Sequence, residues 1–332
     1  MNKNYEAYYL INSESYLYFS LLKQNKTKNL ILYNGNENIY DKMFPYLLNA
    51  KIIVESYIIP EIHLLVSQVP YIKFLRVNHG VRYFKPTTQE CPLLDKNKRN
   101  TIASSPLEYI LLYLNYENEQ ICNAGLARWD RFNFIKKNES EKECILMSFT
   151  RRDYDNDVFE KSLYKKNLEK FFDNTNFIEY LNKSDIELIY IPHHRELFVN
   201  KNYTKNIFKQ STLGNQKDIE HYIEHCSLLI TDFSSLCFDF FVQNKPVLFY
   251  FIDYNDNINF FEKEYYKKKN DYIYFGNAFD NQEELIEKIK YYIEKKFQIE
   301  PDLKTKYDSL FFQKKDIIIK ISNFIEKIIS KP

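Results

Sequence analysis

A hydroxyl-rich turn is the part of this chain best suited to bind an anion. Its residues follow the short apolar run 228–230: Thr231, Asp232, Ser234 and Ser235. A helix beginning after such a turn presents unpaired N–H groups and the positive end of its dipole, which favour a nucleotide diphosphate. The same side chains also cap core helices, so the turn alone leaves both interpretations open.

Histidines at the ends of predicted strands form a second group. His79 follows a strand predicted at 71–77, and His193 and His194 follow one predicted at 186–191. Ligands of open α/β sheets bind at the carboxyl ends of the strands, where an imidazole is able to accept a proton near neutral pH. Adjacent residues of an extended segment point to opposite sides, so only one of the paired histidines is expected to enter a site. A loop histidine bonded to the backbone is the alternative.

Metal and cofactor motifs are sparse in the sequence. His221 and His225 have the i,i+4 spacing of a helical metal pair, but no HExxH motif or suitably spaced carboxylate accompanies them. We therefore interpret them as solvated helix residues and predict no metal. The 5 glycines form neither a GxGxxG nor a Walker A loop, which excludes the ordinary dinucleotide and P-loop sites. No cofactor is predicted.

Composition narrows the class of protein further. The chain has 332 residues, of which 45% are hydrophobic, enough for two domains with their own cores. Its net charge of +1 does not favour a nucleic-acid partner. The 5 cysteines lack metal-type spacing and indicate reduced thiols. Without a signal peptide or a long apolar run, the expected location is the cytoplasm.

Short apolar runs alternate with amphipathic stretches, as in α/β proteins. Strands are predicted at 29–33, 51–54, 71–77, 101–103, 144–148, 186–191, 228–231, 247–251 and 272–275. Helices are predicted at 61–69, 106–116, 159–172, 217–225, 236–243 and 282–295. We expect two doubly wound domains, 1–138 and 139–313, joined by a lysine-rich linker at 136–142.

The last segment, 314–332, is predicted to be an amphipathic helix. Ile317, Ile321, Phe324 and Ile328 would share one face, with lysines around it. Two interpretations remain open: a helix that closes the fold, and a helix on a membrane surface near anionic lipid.

One long segment resembles a known family. Residues 230–256, ITDFSSLCFDFFVQNKPVLFYFIDYND, are similar to the signature of the CDP-glycerol glycerophosphotransferases, the teichoic-acid-type polymerases and primases. That family shows ITDYSS, then FDF or FDY, then a KP segment ending in aspartate. The resemblance adds Asp239, in the FDF element, to the expected donor site.

Four upstream segments resemble elements of the same family, in the same order: FLRVNHGV at 74–81, GLARWD at 125–130, CILMSFTRRD at 144–153 and IPHH at 191–194. The chain departs from the family pattern at four positions: Asn78, Ala127, Phe149 and Arg151. The residues that match supply the rest of the expected phosphate contacts: Arg128, Asp130, Thr150 and Arg152. Arg128 could instead pair with Asp130, and the two arginines at 151–152 could be solvated charges.

The resemblance implies a GT-B-like fold, with two Rossmann-like domains facing across a cleft and a C-terminal helix closing the fold. The implied activity is transfer of glycerol phosphate from CDP-glycerol, or ribitol phosphate from CDP-ribitol, to a hydroxyl of a lipid-linked or glycan acceptor. CMP would be released. His79 would be the base and His193 would contact the pyrophosphate.

Two other functions stay open, and the resemblance also implies that the protein works at a membrane. The alternatives are a GT-B glycosyltransferase that uses a CMP-linked or other nucleotide sugar, and a non-catalytic member that binds glycan or lipid carrier. Family members work at the inner face of the plasma membrane, so the resemblance implies a cytoplasmic protein in peripheral contact with it.

Overall fold

The protein is described by a computed structural model that divides it into two compact units. Unit 1 contains Met1–Phe134 and Leu310–Pro332, and unit 2 contains Ile135–Ser309. The residues described are 8–12, 30–32, 50–55, 71–77, 80–81, 99–113, 117, 120–134, 142–150, 152, 161–191, 208–210, 216–253 and 277–330. The last helix, predicted to be a separate segment, groups with unit 1. Of the expected linker, only Lys142 lies within the described residues.

Unit 1 contains a parallel sheet. Its strands are β1 (Tyr8–Asn12), β2 (Leu30–Leu32), β3 (Ala50–Glu55), β4 (Lys73–Arg76), β5 (Arg99–Ala103) and β6 (Ile121–Asn123), in the order β2-β1-β3-β4-β5-β6. The predicted strands β2 to β5 are confirmed, whereas β1 and β6 were not predicted. In β3 only Lys51 is exposed, as expected for a strand covered on both faces. The helix predicted at 61–69 lies outside the described residues.

Helix α1 (Pro106–Tyr113) begins with paired hydrogen bonds between side chains and backbone. The Ser105 hydroxyl accepts the N–H of Glu108 at 3.1 Å, and the Glu108 carboxylate accepts the N–H of Ser104 at 2.7 Å. Proline at the first helical position adds a preset φ angle. The helix predicted from these residues is confirmed, and a 3₁₀ helix (Ala127–Phe134) follows β6.

The final helix of the chain packs inside unit 1. We call it α8 (Ile317–Ser330), and it contacts β3, β4, β6 and the 3₁₀ helix. The four residues predicted to share one face, Ile317, Ile321, Phe324 and Ile328, are all buried. The structure therefore supports a helix that closes the fold of unit 1, because its apolar face is already covered by protein. None of the described helices is both long and apolar enough to cross a membrane.

Unit 2 contains a second parallel sheet. Its strands are β7 (Cys144–Met147), β8 (Glu187–Tyr190), β9 (Phe208–Gln210), β10 (Leu228–Thr231), β11 (Val247–Tyr250) and β12 (Asn277–Phe279), in the order β12-β11-β10-β7-β8-β9. From β7 the chain proceeds outward through β8 and β9, and then continues on the other side with β10, β11 and β12. The strand order therefore reverses between β7 and β10, and ligands of doubly wound sheets bind at such a point.

Six helices accompany this sheet in the described part of unit 2. They are α2 (Leu163–Phe172), α3 (Thr175–Lys183), α4 (Gln216–His225), α5 (Cys237–Phe241), α6 (Gln282–Glu294) and α7 (Pro301–Ser309). The predictions of β7, β8, β10, β11, α2, α4, α5 and α6 are confirmed, although α5 is shorter than expected. β9, β12, α3 and α7 were not predicted, and the strand predicted at 272–275 lies outside the described residues.

The core of unit 2 is rich in aromatic rings. Phe171 of α2 packs against Phe177 of α3, with ring centroids 5.5 Å apart, and against Tyr250 of β11 at 6.3 Å. Side chains of Ser162, Asn174 and Asn281 cap the starts of α2, α3 and α6. These contacts hold the helices on the sheet and so fix the ends of its central strands.

Candidate functional site

The candidate site lies at the carboxyl ends of β7 and β10, where the strand order of unit 2 reverses. Hydrogen bonds join the two strand ends beyond the regular ladder. The N–H of Ser148 donates to the carbonyl oxygen of Ile230 at 3.0 Å, and the Thr231 hydroxyl donates to the carbonyl oxygen of Ser148 at 2.6 Å. Thr231 and the residues after it are therefore held against the segment that follows β7.

Asp232 extends this connection with its side chain. Its carboxylate oxygens accept the backbone N–H of Thr150, at 2.9 and 3.1 Å, and one also accepts Nη1 of Arg152 at 2.7 Å. The sequence leaves two roles open for Asp232, a cap of the following helix and a contact with the donor, and the second stays a prediction. Rather than cap that helix, it binds across to β7, because a fully buried carboxylate is most stable beside a cation and N–H donors.

Arg152 also binds a second carboxylate, that of Asp253 after β11. Nε and Nη2 of the guanidinium donate to the two oxygens of Asp253 at 2.7 and 2.8 Å. Nη1 additionally donates to the carbonyl oxygen of Thr150 at 2.8 Å. The side chains of Arg152, Asp232 and Asp253 are all 0% exposed.

Aromatic rings lie close to the guanidinium of Arg152. Its carbon Cζ lies 4.9 Å from the ring centroid of Tyr164 and 5.1 Å from that of Phe233. Tyr164 is itself buried and shares a 3.2 Å hydrogen bond with the hydroxyl of Tyr190. The guanidinium is thereby fixed both within its plane and across its faces.

The buried cluster of Arg152, Asp232 and Asp253 joins two carboxylates to one guanidinium. Burying charges is costly, and removing one partner of such a cluster typically costs about 3–5 kcal/mol. Much of the positive charge of Arg152 is therefore directed at protein carboxylates. The direct contact between Arg152 and the donor, predicted from the sequence, stays a prediction.

The serines of the turn differ from Asp232 because they are only partly buried. The Ser234 hydroxyl accepts the N–H of Leu236 at 3.3 Å, a long hydrogen bond. Ser235 makes no side-chain hydrogen bond within the described part of the chain. Thr150 Oγ1 is buried and likewise has no partner there. Among the described residues of the site, the partly buried hydroxyls of Ser234 and Ser235 are therefore candidates for binding an oxygen-rich ligand, whereas Thr150 Oγ1 lies beneath the surface.

Asp239 and Cys237 lie in α5, directly after the turn. Both are fully buried. Burial raises the pKa of the Cys237 thiol well above its ordinary value, and the neighbouring Asp239 raises it further. The structure thus places Asp239 in the interior beneath the turn, and its assignment to the donor site remains a prediction.

Two predicted site residues, Arg128 and Asp130, belong to unit 1. Asp130 accepts the backbone N–H groups of Ile317 and Ile318 at 3.0 and 2.8 Å, so it caps α8. Between them, Trp129 is fully buried and meets Phe311 edge to face, with ring centroids 5.0 Å apart. This segment serves to attach the last helix, and its role in phosphate binding stays a prediction.

The predicted catalytic histidines, His79, His193 and His194, lie outside the described residues. His79 comes after β4 in the chain, and the other two come after β8, which pairs with β7. His221 and His225 lie on α4, with ring centroids 4.1 Å apart and Nδ1 of His225 donating to the carbonyl oxygen of His221 at 2.7 Å. Among the described residues, no group of three potential ligands has the arrangement of a metal site.

Asp253 and Tyr164 were missing from the predicted site. The sequence did contain a signal for Asp253, because this charged residue lies two positions after the strand predicted at 247–251. His79 has the same position relative to the strand predicted at 71–77. Tyr164 had no such signal, since its role depends on how α2 packs over the ends of the strands.

Comparisons with known proteins agree on one family. The sequence matches the family described as CDP-Glycerol:Poly(glycerophosphate) glycerophosphotransferase over residues 2–317. The minor teichoic acid biosynthesis protein GgaB of Bacillus subtilis (strain 168) is 24% identical over 258 residues. That alignment covers 72% of this chain but 27% of GgaB, so the chain spans about a quarter of that relative's length.

Similar solved structures identify the fold. The wall teichoic acid polymerase TagF superposes with a TM-score of 0.64 at 14% identity, covering 98% of this chain and 89% of that chain. A TagF variant soaked with CDPG gives the same TM-score and identity, covering 99% and 91%. The S. aureus MnaA–UDP structure gives 0.56 at 13% identity, covering 98% and 99%. At these identities the similarity shows the fold alone, and the predicted GT-B class with two doubly wound parallel sheets is confirmed.

Proposed function

Because the chain belongs to the CDP-glycerol:poly(glycerophosphate) glycerophosphotransferase family, we propose that it transfers glycerol phosphate from CDP-glycerol to an acceptor hydroxyl. The acceptor oxygen attacks the phosphorus that carries glycerol. A new phosphodiester forms, the bond from that phosphorus to the bridging oxygen breaks, and CMP leaves. The acceptor loses one proton in the exchange.

One observation carries this proposal: the hydroxyl-bearing residues of unit 2 flank the point at which its strand order reverses. Thr150 follows β7, and Ser234 and Ser235 follow β10, its neighbour in the sheet. Parallel α/β sheets bind nucleotides at this place. Hydroxyls and backbone N–H groups there would donate to the oxygens of a diphosphate without any glycine-rich loop.

The residues that match family motifs are our candidates for the remaining chemical roles. His79 would accept the proton of the acceptor hydroxyl, and His193, with Arg128, would stabilise the charge that develops on the phosphates. Phosphoryl transfer depends mainly on positioning and on electrostatic stabilisation, so few groups need to react directly. Ser234 and Ser235 would hold the diphosphate while the bond to CMP breaks.

The names of the relatives indicate the setting. GgaB takes part in minor teichoic acid biosynthesis, and TagF is a wall teichoic acid polymerase. We therefore place the proposed reaction in the synthesis of a teichoic-acid-type surface polymer. A lipid-linked acceptor would bring the enzyme to the inner face of the plasma membrane, as a peripheral protein.

The experiment that tests the proposal measures release of CMP from a panel of donors. CDP-glycerol, CDP-ribitol and a CMP-sugar are each supplied with a crude membrane-glycan extract as the source of acceptor. We expect the wild-type protein to release CMP from CDP-glycerol and His79→Ala to release none. The matched control is His221→Ala, a change on the exposed face of α4, which should release CMP as wild type does.

Other results of this experiment would change the donor or the function that we propose. Release from CDP-ribitol alone would change the donor but keep the reaction. Release from the CMP-sugar alone would indicate that the protein is a glycosyltransferase, since enzymes of that class also have GT-B folds. If no donor is turned over and none binds, a non-catalytic role in binding glycan or lipid carrier is favoured.

A further inference from the structure

We infer that Asp253 is a positioning residue: acting through Arg152, it holds Asp232 and so sets the hydroxyl turn at Ser234 and Ser235. This inference rests on the proposed function, because the turn is the proposed diphosphate site. Nothing in the sequence spacing suggests it, since Arg152 and Asp253 are 101 residues apart.

The first step is the geometry of the guanidinium. Two of the three nitrogens of Arg152, Nε and Nη2, donate to Asp253, so the planar fork is oriented by that carboxylate. The third nitrogen, Nη1, is thereby directed at Asp232 and at the carbonyl oxygen of Thr150. Without Asp253, the hydrogen bonds from Nη1 and the contacts with Tyr164 and Phe233 are still present, but the bidentate contact that sets the rotation of the guanidinium within its plane is lost.

The second step leads from the guanidinium to the turn. Asp232 is 0% exposed and is held by Arg152 on one side and by the N–H of Thr150 on the other. Ser234 and Ser235 follow within the next residues of the chain and are only partly buried. A shift of Asp232 is therefore expected to reach both serines, whose carbonyl oxygens accept the N–H groups of Cys237 and Phe238 at 3.3 and 3.1 Å and so transmit the movement to the start of α5.

The third step concerns charge. The cluster has one guanidinium for two carboxylates, so Asp253→Asn leaves a balanced pair of Arg152 and Asp232 in place. The asparagine has nearly the same shape, and its carbonyl oxygen is still able to accept one N–H from the arginine. The variant therefore removes the bidentate ionic contact without opening a cavity, and its effect on the turn is separable from loss of packing.

The first test needs no substrate. Hydrogen exchange, followed by mass spectrometry, is compared in wild type, Asp253→Asn and Tyr292→Phe. Tyr292→Phe is the matched control, because it removes a 2.6 Å hydrogen bond to Glu300 elsewhere in unit 2. We expect at least about tenfold faster exchange in the peptide covering residues 228–238 for Asp253→Asn only. Equal exchange in the two variants would overturn the inference whatever the substrate is.

The second test uses turnover of CDP-glycerol. We expect Asp253→Asn to raise the donor KM about tenfold, as loss of a charge-assisted hydrogen bond does, with a smaller change in kcat. Asp253→Asn combined with Ser235→Ala should be no worse than the more affected single variant, because both act on one contact. Strictly additive effects would mean that Asp253 only stabilises the fold. If Asp253→Asn does not fold, Arg152→Lys replaces it in both tests, because lysine keeps the positive charge but lacks the planar pair of N–H donors.

Failure of this inference is distinguishable from failure of the proposed function. If no CDP-polyol is turned over but exchange at the turn rises in Asp253→Asn, the positioning role holds and the assigned donor is wrong. If turnover is normal and exchange is unchanged, the proposed function holds and Asp253 has no positioning role.

Discussion

The carboxylate of Asp130 accepts the N–H of Ile317 at 3.0 Å, although the two residues are 187 positions apart. This hydrogen bond, with a second to the N–H of Ile318, fixes the start of α8. Asp130, which was assigned to phosphate binding from the sequence, thus joins the 3₁₀ helix of unit 1 to the last helix of the chain.

Removing this cap should destabilise unit 1. We expect Asp130→Ala to lower the free energy of unfolding by about 1–2 kcal/mol, because two N–H groups at the start of α8 lose their acceptor. Urea denaturation measures the loss, and Glu326→Ala on the exposed side of the same helix is the control. If Asp130 serves only as the cap of α8, the donor KM of the folded variant is unchanged. A raised KM with normal stability would show that Asp130 belongs to the phosphate site instead.

Gly125 occupies a position that other residues tolerate poorly. Its φ angle is +137°, and an added Cβ would lie 2.9 Å from Cδ1 of Ile317. We expect Gly125→Ala to cost about 2 kcal/mol of stability from backbone strain and overpacking together.

A double variant separates these two causes. Ile317→Val removes Cδ1, so the pair of substitutions should cost less than the sum of the single ones. Urea denaturation of the four proteins provides the measurement. Full additivity would assign the effect to the backbone angle together with the second close contact, 3.2 Å from Cε3 of Trp129.

Buried thiols of this protein should resist alkylation while it is folded. Burial raises the pKa of Cys122 to about 12, and it raises the pKa of Cys226 and Cys237 well above the ordinary value. Since the thiolate is the reactive form, little of it exists at about pH 8. Mass spectrometry after iodoacetamide treatment should find these three cysteines modified only after unfolding. Rapid modification of Cys237 in the native protein would mean that the region beneath the turn opens readily.

The stability of unit 2 should depend on pH through Glu300, which precedes α7. Burial raises the pKa of this carboxyl, whereas hydrogen bonds from the Tyr292 hydroxyl, its own backbone N–H and Lys288 lower it, and the net pKa lies below 4.5. Because the folded-state pKa is the lower one, ionised Glu300 stabilises the fold above about pH 4.5. That contribution is lost as the pH falls through the folded pKa.

The variant Glu300→Gln tests this dependence. Its free energy of unfolding should fall less steeply than that of wild type as the pH drops from about 6 to about 3. Glu294→Gln, at an exposed position near the end of α6, should follow the wild-type curve. Parallel curves for wild type and Glu300→Gln would contradict the assignment.

The central strands of both sheets were predictable because each is a bounded apolar run. β3, β7, β10 and β11 are buried almost throughout, and periodicity with length sufficed to recognise them. β6 and β9 were missed because their three residues include polar side chains, ICN and FKQ, whereas the equally short β2 is the apolar run LIL. Helix α3 was missed because its short amphipathic pattern follows α2 with only Asp173 and Asn174 between them.

The sequence offered several residues that the structure brings together at the candidate site, but it did not indicate the contacts among them. Thr231, Ser234 and Ser235 were candidates because they have hydroxyl groups and lie at or just after the end of a predicted strand. The partners of Arg152 lie 80 and 101 positions away, and only the order of β7, β10 and β11 brings them together. Spacing in one sequence contains no information on that order, so the arginine was predicted to face a ligand.

Transfer of glycerol phosphate is the central claim, and detection of its product tests it most directly. The purified protein is incubated with CDP-glycerol radiolabelled in the glycerol and with a membrane-glycan extract, and label is followed into acceptor-bound phosphodiester by chromatography and phosphorus NMR. We predict label in the acceptor in step with CMP release, and none with His79→Ala. CMP release that leaves the label as free glycerol phosphate, even with acceptor in excess, would contradict the account, because the protein would then be a hydrolase.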